Sequence, residues 1–324
     1  MNRLKIAVRM LLWSALLMSL VAPARAETFP SRPIHLILPF QPGGIVDFAG
    51  RVLAQKLGDV LGQTVVSDNK PGAGGIVGLD YVAHSAPDGY NIVLIDPSVV
   101  INPTLQKSLP FDVFKDLVTV SIINSSPEVL VVAPQLGIKT YSELVAYGKA
   151  NPGKLNYASA GVGTTPHLAA AMWAQRTGVD AVHVPYKGVG PSFVDLMSNK
   201  VQMEFSSIAG ALPFTSKGSV IPLATTGVTR SPVYPDLPTV SELLPGYSVD
   251  LWLGVYGPAA MPPDVLAKLN SGIAKALQDD QLKASFAKFG LTPRGTSVPE
   301  GAAFTKSEYE KWKKVITDGH ITLD

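Results

Sequence analysis

The chain has 324 residues, enough for one large or two medium domains, and it contains no cysteine, which excludes a disulfide-stabilised mini-protein. A hydrophobic fraction of 46% and a charged fraction of 16% exclude intrinsic disorder. The first 26 residues carry four of the 27 basic side chains and no acidic one, so 23 basic residues stand against 25 acidic residues in the remainder. A nucleic-acid partner is therefore not expected.

The N-terminal segment has the pattern of a secretory signal peptide. Basic residues at its start precede an apolar stretch at residues 10–21, and an A-x-A cleavage site ends at Ala26. The apolar stretch is too short for a comfortable membrane span. We therefore predict a signal peptide over residues 1–26, a mature chain that begins near Glu27, and a periplasmic location in a Gram-negative bacterium.

Residues 34–61 predict a buried strand, a glycine turn and an amphipathic helix. The strand is an almost continuous apolar run, which is typical of parallel sheets covered on both faces. Gly43 and Gly44 leave the first N–H groups of the helix unblocked, and these groups, with the helix dipole, suit an anion. Asp47 is expected to cap the turn, and ordinary helix-start chemistry is the alternative. The candidate ligand-binding residues here are Phe40, Gln41, Gly43, Gly44, Ile45, Val46 and Asp47.

The rest of the chain alternates strands with helices, which predicts βαβ units. We predict an α/β fold of two lobes with mostly parallel sheets flanked by helices. Residues 27–125 and 253–324 would form the first lobe and residues 126–252 the second, with two chain crossings as the hinge. Predicted strands lie at residues 34–38, 64–66, 92–95, 129–132, 155–158, 181–184, 201–205, 222–226 and 249–256.

A second turn between a strand and a helix spans residues 159–165. Its serine and threonines add hydroxyl donors to free backbone N–H groups, and a histidine follows closely. One such turn from each lobe, on opposite sides of a cleft, would hold a carboxylate at two points. Simple helix capping is the alternative. The candidate residues are Ser159, Gly163, Thr164, Thr165 and His167, together with Ser206 at the end of a later strand.

Motifs for cofactors and metals are incomplete. Residues 72–78 resemble a dinucleotide-binding fingerprint, but Val77 replaces its third glycine. The five histidines show no paired spacing, and cysteine is absent. We therefore expect no cofactor and no metal.

The alternative function is that of a secreted α/β hydrolase. Residues 157–161 are a near miss for the nucleophile elbow, with Tyr157 in place of the first glycine. Ser159 would be the nucleophile, and Asp250 and His320 follow it in the order that such enzymes use. His320 lies close to the C-terminus, which weakens this interpretation.

Together these segments resemble the Bug family, the extracytoplasmic substrate-binding receptors of tripartite tricarboxylate transporters. The resemblance covers essentially the whole mature chain and rests on PSRPIHLILPFQPGGIVDFAGRVLAQKLG, NKPGAGGIVGLDYVAHSAPDGY, YASAGVGTTPHLAA, VHVPYKGVGPSFVDLMSNKVQMEF and YPDLPTVSELLPGY. It implies a two-lobed, periplasmic-binding-protein-like fold with a hinge, no catalysis, and a ligand carboxylate held at the turns that match Gly43, Gly44, Asp47 and residues 159–165. It also implies delivery to an integral-membrane permease, and a monomer is expected.

Two departures from the family pattern bear on the ligand. Relatives commonly carry a small hydroxyl residue after the two glycines, where this chain has Ile45 and then Val46, and many carry an acid near the position of Ser206. With Phe40 beside the turn, these changes predict a less polar carboxylate, aromatic or aliphatic, and a dicarboxylate is also considered. Trp252 is expected to flank the same cleft.

Overall fold

Nine strands form one sheet in the part of the chain that the computed structural model describes, residues 28–186 and 188–323. The predicted signal peptide lies outside these residues. The strands are β1 (Ile34–Leu38), β2 (Val65–Asn69), β3 (Asn91–Ile95), β4 (Leu117–Val132), β5 (Leu155–Ser159), β6 (Ala181–Pro185), β7 (Met203–Ser207), β8 (Ile221–Thr225) and β9 (Asp250–Pro258).

Helices follow most of these strands, as the alternating pattern predicts. Short 3-10 turns lie at Ala73–Gly75 and Pro134–Leu136. The helices are α1 (Ile45–Leu61), α2 (Ile76–Ala83), α3 (Ser98–Leu105), α4 (Val113–Asp116), α5 (Tyr141–Ala150), α6 (Thr165–Thr177), α7 (Val189–Met197), α8 (Ile208–Thr215), α9 (Val240–Leu243), α10 (Pro263–Ala276), α11 (Asp280–Lys288) and α12 (Val298–Asp318).

The sheet has the strand order β2-β1-β3-β9-β4-β7-β5-β6, with β8 paired to β4. Pairing is parallel at both ends, where β1 joins β2 and β3, and β5 joins β6 and β7. The prediction of an α/β fold is confirmed, but the whole sheet is mixed rather than mostly parallel. The reason is that β4 and β9, which link the two parallel ends, run antiparallel to their neighbours.

Strand β4 is 16 residues long and changes partners along its length. It pairs with β9 as far as Pro127 and with β7 from Glu128 onward. This change lies next to the boundary that the sequence predicts between the lobes, residues 125 and 126. The division of the chain into those lobes stays a prediction.

Helix α1 shows why the opening segment folds as it does. Its apolar positions recur every three or four residues, so Ala49, Leu53 and Leu57 all point inward and are fully buried. Burying each leucine contributes about 2 kcal/mol relative to an exposed side chain. Gly62, at φ 68°, ends the helix in a left-handed cap. The buried strand and the buried helix face together fix the position of the turn between them.

Most of the buried apolar side chains come from the strands and from the inner faces of the helices. The central positions of β1 and β3 have no exposed surface. Helix α3 was not predicted, because Pro103 and a nearly continuous apolar run obscure its period over only eight residues. In the described part of the chain, every helix is too short or too polar to cross a bilayer.

Candidate functional site

A cavity of ≈ 830 Å³ lies where the carboxyl ends of strands from both parallel parts of the sheet meet. Residues that follow β1, β2, β3, β5 and β7 line it, which is the usual position of a ligand site in an open α/β sheet. Its wall is mainly apolar. The large apolar side chains are those of Phe40, Ile45, Ile101, Leu105, Val162, Leu251, Phe289 and Leu323.

The structure brings six of the predicted residues to this cavity and leaves the others beside it. Those that line the cavity are Phe40, Gly43, Ile45, Gly163, Thr164 and Thr165. Gln41 and Gly44 are exposed at its edge, and Val46, Asp47, Ser159, His167 and Ser206 are buried behind its wall. The buried members do not line the cavity.

The first turn, residues 42–47, is held by a polar network. Gly43 has a φ of 95°, which favours glycine, and its N–H donates to Asp47 Oδ2 at 3.0 Å. Arg51 donates to Asp47 Oδ1 through Nε and Nη2, and Asn69 Nδ2 donates to the same oxygen at 2.9 Å. Asn69 also donates to the carbonyl of Phe40. The predicted role of Asp47 as the cap of this turn is confirmed.

This network keeps Asp47 ionised. The hydrogen bonds from Arg51, with smaller contributions from Asn69 and Gly43, lower the pKa of Asp47 to about 2, although burial opposes the shift. The guanidinium of Arg51 balances the carboxylate charge, so the turn presents little net charge to an incoming anion.

The second turn, residues 159–167, is held without a charged group. Gly163 has a φ of 77°, and its N–H donates to His167 Nδ1 at 3.0 Å. Thr164 Oγ1 donates to the carbonyl of Gly161. Ser159 Oγ accepts from the N–H of Gly161 and lies 2.7 Å from His183 Nε2. The hydroxyl groups of Ser159 and Thr164 are therefore occupied by the turn itself.

Stacked rings support this second turn. The rings of His167 and His183 stack with their centroids 3.8 Å apart and an angle of 12° between their planes, and the ring of Tyr157 also stacks on that of His183. Burial, reinforced by His183, lowers the pKa of His167 to about 3, and burial lowers the pKa of His183 to about 4. Both rings are neutral at neutral pH. Since His167 Nδ1 accepts a hydrogen bond, its proton is on Nε2.

Free donors remain at both turns. Helix α1 has no side-chain cap at Gly44, and α6 has none at Thr164, so the first N–H groups of both helices lack partners inside their helices. The hydroxyl of Thr165, which lines the cavity, makes no hydrogen bond to another described residue. The arrangement can therefore hold an anionic group at two helix N-termini beside an apolar wall.

Several cavity residues were missed by sequence reasoning. Ser98, Ile101 and Asn102 come from the unpredicted helix α3, and Phe289 follows α11, where it stacks on Phe48 at 3.7 Å. Asp96 directly follows β3, a position that would have identified it. Burial raises the pKa of Asp96. Lys288 is the basic residue among the described residues of the wall.

At two predicted positions the adjacent residue of the strand lines the cavity instead, because of strand geometry. Successive residues of a strand point to opposite faces, so Ser207 lines the cavity while Ser206 is buried on the other side. Trp252 does not flank the cleft. It is fully buried in the core and donates through Nε1 to Glu308 Oε2, and its neighbour Leu251 reaches the cavity instead.

The residues of a hydrolase triad are not brought together. Asp250 accepts a hydrogen bond from Ser125, while Ser159 contacts His183 rather than His320. Ser159 is also fully buried. The described residues contain no group of three or more metal-ligating side chains.

Comparison with known proteins agrees with this architecture. The family model described as the tripartite tricarboxylate transporter family receptor matches residues 49–321. Protein BugT of Bordetella pertussis is 36% identical over 302 residues, which are 92% of this chain and 93% of that protein.

Solved structures give the same result. A protein of R. palustris solved with adipate is 30% identical, with a TM-score of 0.78 over 91% of this chain and 99% of that one. MatC from Rhodopseudomonas palustris, solved with bound malate, is 29% identical, with a TM-score of 0.72 over 89% of this chain and 100% of that one. The predicted α/β fold class and the resemblance to Bug proteins are confirmed. The chain therefore belongs to the receptor family of the tripartite tricarboxylate transporters.

Proposed function

We propose that the protein captures a small organic carboxylate with an apolar body, aromatic or aliphatic, and delivers it to the permease of a tripartite tricarboxylate transporter. One observation carries this proposal. Two helix N-termini without side-chain caps open onto a single cavity whose remaining wall is mainly apolar. Free N–H groups at positive helix ends favour a carboxylate, and the apolar wall favours the body attached to it.

The site residues proposed to contact the ligand are those of the two turns that lie in the cavity wall or at its edge. Gly44 and Ile45 would offer backbone N–H groups, and Thr165 would offer its hydroxyl. Asp47 and His167 would act indirectly, because each accepts the N–H of the turn glycine and fixes the shape of the turn. The ligands of the two R. palustris proteins, adipate and malate, are both small carboxylates, which supports the same class here.

A thermal-shift panel tests this proposal. Benzoate, adipate and malate would each be compared with the corresponding amide, which keeps the body but removes the anionic group. At a hundredfold excess over Kd, a binding acid stabilises the folded protein by about 2.7 kcal/mol, and Tm rises with concentration. Amides that raise Tm as much as their acids would contradict a carboxylate site.

We also propose that the mature protein begins near Glu27, works in the periplasm as a monomer, and carries out no catalysis. Mass spectrometry of the periplasmic fraction tests the cleavage, and light scattering tests the monomer. Ser159→Ala tests the last point. Because Ser159 is buried and serves the second turn, this variant should leave any background ester hydrolysis unchanged, whereas loss of turnover would support the hydrolase alternative.

A further inference from the structure

Glu128 is a buried carboxyl group at the cavity that belongs to neither of the two turns. It lies on β4 where the strand leaves β9 and begins to pair with β7, and it lines the cavity. Its side chain is 1% exposed, and Oε2 is buried without a hydrogen-bond partner. A buried carboxyl oxygen without a partner costs free energy unless something supplies one.

The groups around Glu128 are acidic or already occupied. Glu204 on β7 and Asp250 on β9 are acidic neighbours, and the negative charge that either carries when ionised opposes ionisation of Glu128. Tyr247, which lies just before β9, is close enough to be influenced by Glu128, but its hydroxyl donates to the carbonyl of Ala169. The cavity wall also contains Asp96 and the exposed Lys288. Glu128 forms no salt bridge among the described residues.

A carboxyl group in these surroundings is neutral. Removing an ionised carboxylate from water without a counter-charge is costly, and two neighbouring acids add repulsion. Burial, with the charges of Glu204 and Asp250, raises the pKa of Glu128 to about 8, and burial raises the pKa of Glu204 to about the same value. A neutral carboxyl group is a hydrogen-bond donor, whereas a carboxylate is only an acceptor.

We propose that Glu128 is a specificity-determining residue that, in its protonated form, donates a hydrogen bond to a second, uncharged oxygen acceptor on the bound carboxylate. The proposal rests on the carboxylate-binding function and names the substrate class more closely: an acid with an oxo or comparable carbonyl group in its body. A cationic amino group is not the expected partner, because a protonated Glu128 offers it no charge.

Three probes of matched shape separate these cases, each taken over a range of chain lengths. The (ω−1)-oxo acids, such as 6-oxoheptanoate, carry an uncharged acceptor. The plain alkanoates carry neither an acceptor nor a donor in the body, and the ω-amino acids carry a cationic donor. Calorimetry would compare their affinities near pH 6.5 and near pH 9. Near pH 6.5 the oxo acid should bind about fivefold tighter than the plain acid. Near pH 9, where Glu128 is ionised, that preference should disappear.

Glu128→Gln distinguishes titration of this residue from other effects of pH. The amide keeps an N–H donor but does not ionise, so this variant should keep its preference for the oxo acid at both pH values. The exposed Glu310→Gln is the matched control and should behave as the wild type does. Equal affinity for oxo and plain acids in the wild type would overturn the inference, and so would a preference for the amino acid that Glu128→Gln abolishes.

A measurement without ligand tests the protonation of Glu128 independently of the proposed function. In the unfolded chain Glu128 ionises near the ordinary glutamate pKa of about 4.3, whereas in the folded protein it stays protonated. The wild type should therefore lose stability as pH rises from about 5 to about 8, and the Tm of Glu128→Gln should rise relative to that of the wild type. A constant Tm difference would overturn the inference even if carboxylates bind. Binding of no carboxylate at any pH would overturn the proposed function and this inference with it.

Discussion

In both turns a glycine N–H donates at 3.0 Å to the side chain four residues later, yet the acceptor is an ionised carboxylate in the first turn and a neutral imidazole in the second. The first acceptor, Asp47, is held by Arg51 and Asn69. The second, His167, is held by stacking on His183. The two halves of one cavity thus reach the same backbone geometry through different chemistry.

The difference shows how a turn beside the proposed carboxylate site can be fixed without repelling an anion. The charge of Asp47 is balanced by Arg51, and the imidazole of His167 has no charge to balance. The contributions of the two acceptors to stability respond differently to acid. The contribution of Asp47 is complete above its ordinary pKa of 3.8 and is lost only as pH falls toward about 2, whereas that of His167 begins to be lost below 6.5.

The largest expected effect comes from removing the charged acceptor. Asp47→Ala deletes the acceptor of hydrogen bonds from Gly43, Arg51 and Asn69, and should lower the free energy of unfolding by about 3 kcal/mol in urea denaturation at neutral pH. Asp47→Asn keeps a carbonyl acceptor and should lose less. An alanine variant as stable as the wild type would show that the network does not hold the turn.

The second expected effect is a pH dependence of stability that arises from His167, the neutral acceptor. Below the ordinary histidine pKa of 6.5 the unfolded chain binds a proton that folded His167 does not take up until about pH 3. The stability of the wild type relative to His167→Asn should therefore fall by about 2 kcal/mol between about pH 7 and about pH 5.

Urea titrations of the two proteins at each pH measure this difference. The pair is informative because His183, Glu128 and Glu204 are present in both proteins, so most of their titration cancels. Asparagine also keeps an acceptor for the N–H of Gly163. A difference that does not change with pH would mean that the ring is not held neutral.

The third effect concerns binding at the first turn. A Cβ at Gly44 would meet no atom within 4 Å, and its φ of −83° suits any residue, so Gly44→Val should fold normally. The valine side chain should obstruct approach to the N–H groups and weaken binding of the best acid from the panel about tenfold, or 1.4 kcal/mol. Gly44→Ala should weaken it less. Unchanged calorimetric affinity in the valine variant would exclude the first turn from the site.

The smallest effect concerns selectivity. Ile45 lines the cavity while Val46 is buried behind it, so Ile45 is the position that can distinguish ligands. Ile45→Ser should shift the affinity ratio of malate to succinate, which differ by one hydroxyl, about threefold in favour of malate. Ile45→Val, which stays apolar, is the control. An unchanged affinity ratio in the serine variant would show that Ile45 does not determine selectivity.

Much of the site was predictable where it depends on contiguous residues. The turns after β1 and β5 each combine glycines with a helix start, and Gly43, Gly163 and Thr165 do reach the cavity. The residues that were missed depend on other elements. Asn102 belongs to a short helix with an interrupted pattern, and Glu128 lies inside a strand that resembles any buried strand from its sequence.

By itself the sequence predicted a strand at each of the nine positions, although only the last four residues of the long β4. It also predicted the two turns, their helices and the family, because hydrophobic periodicity and helix-start chemistry are local and repeat in order along the chain. Tertiary structure decided which side chains meet. Hydrogen bonds between residues four apart gave Asp47 and His167 a role in holding the turns. The change of partners along β4 placed Glu128 at the cavity among other acids, since burial and like charge arise only from residues that are distant in sequence.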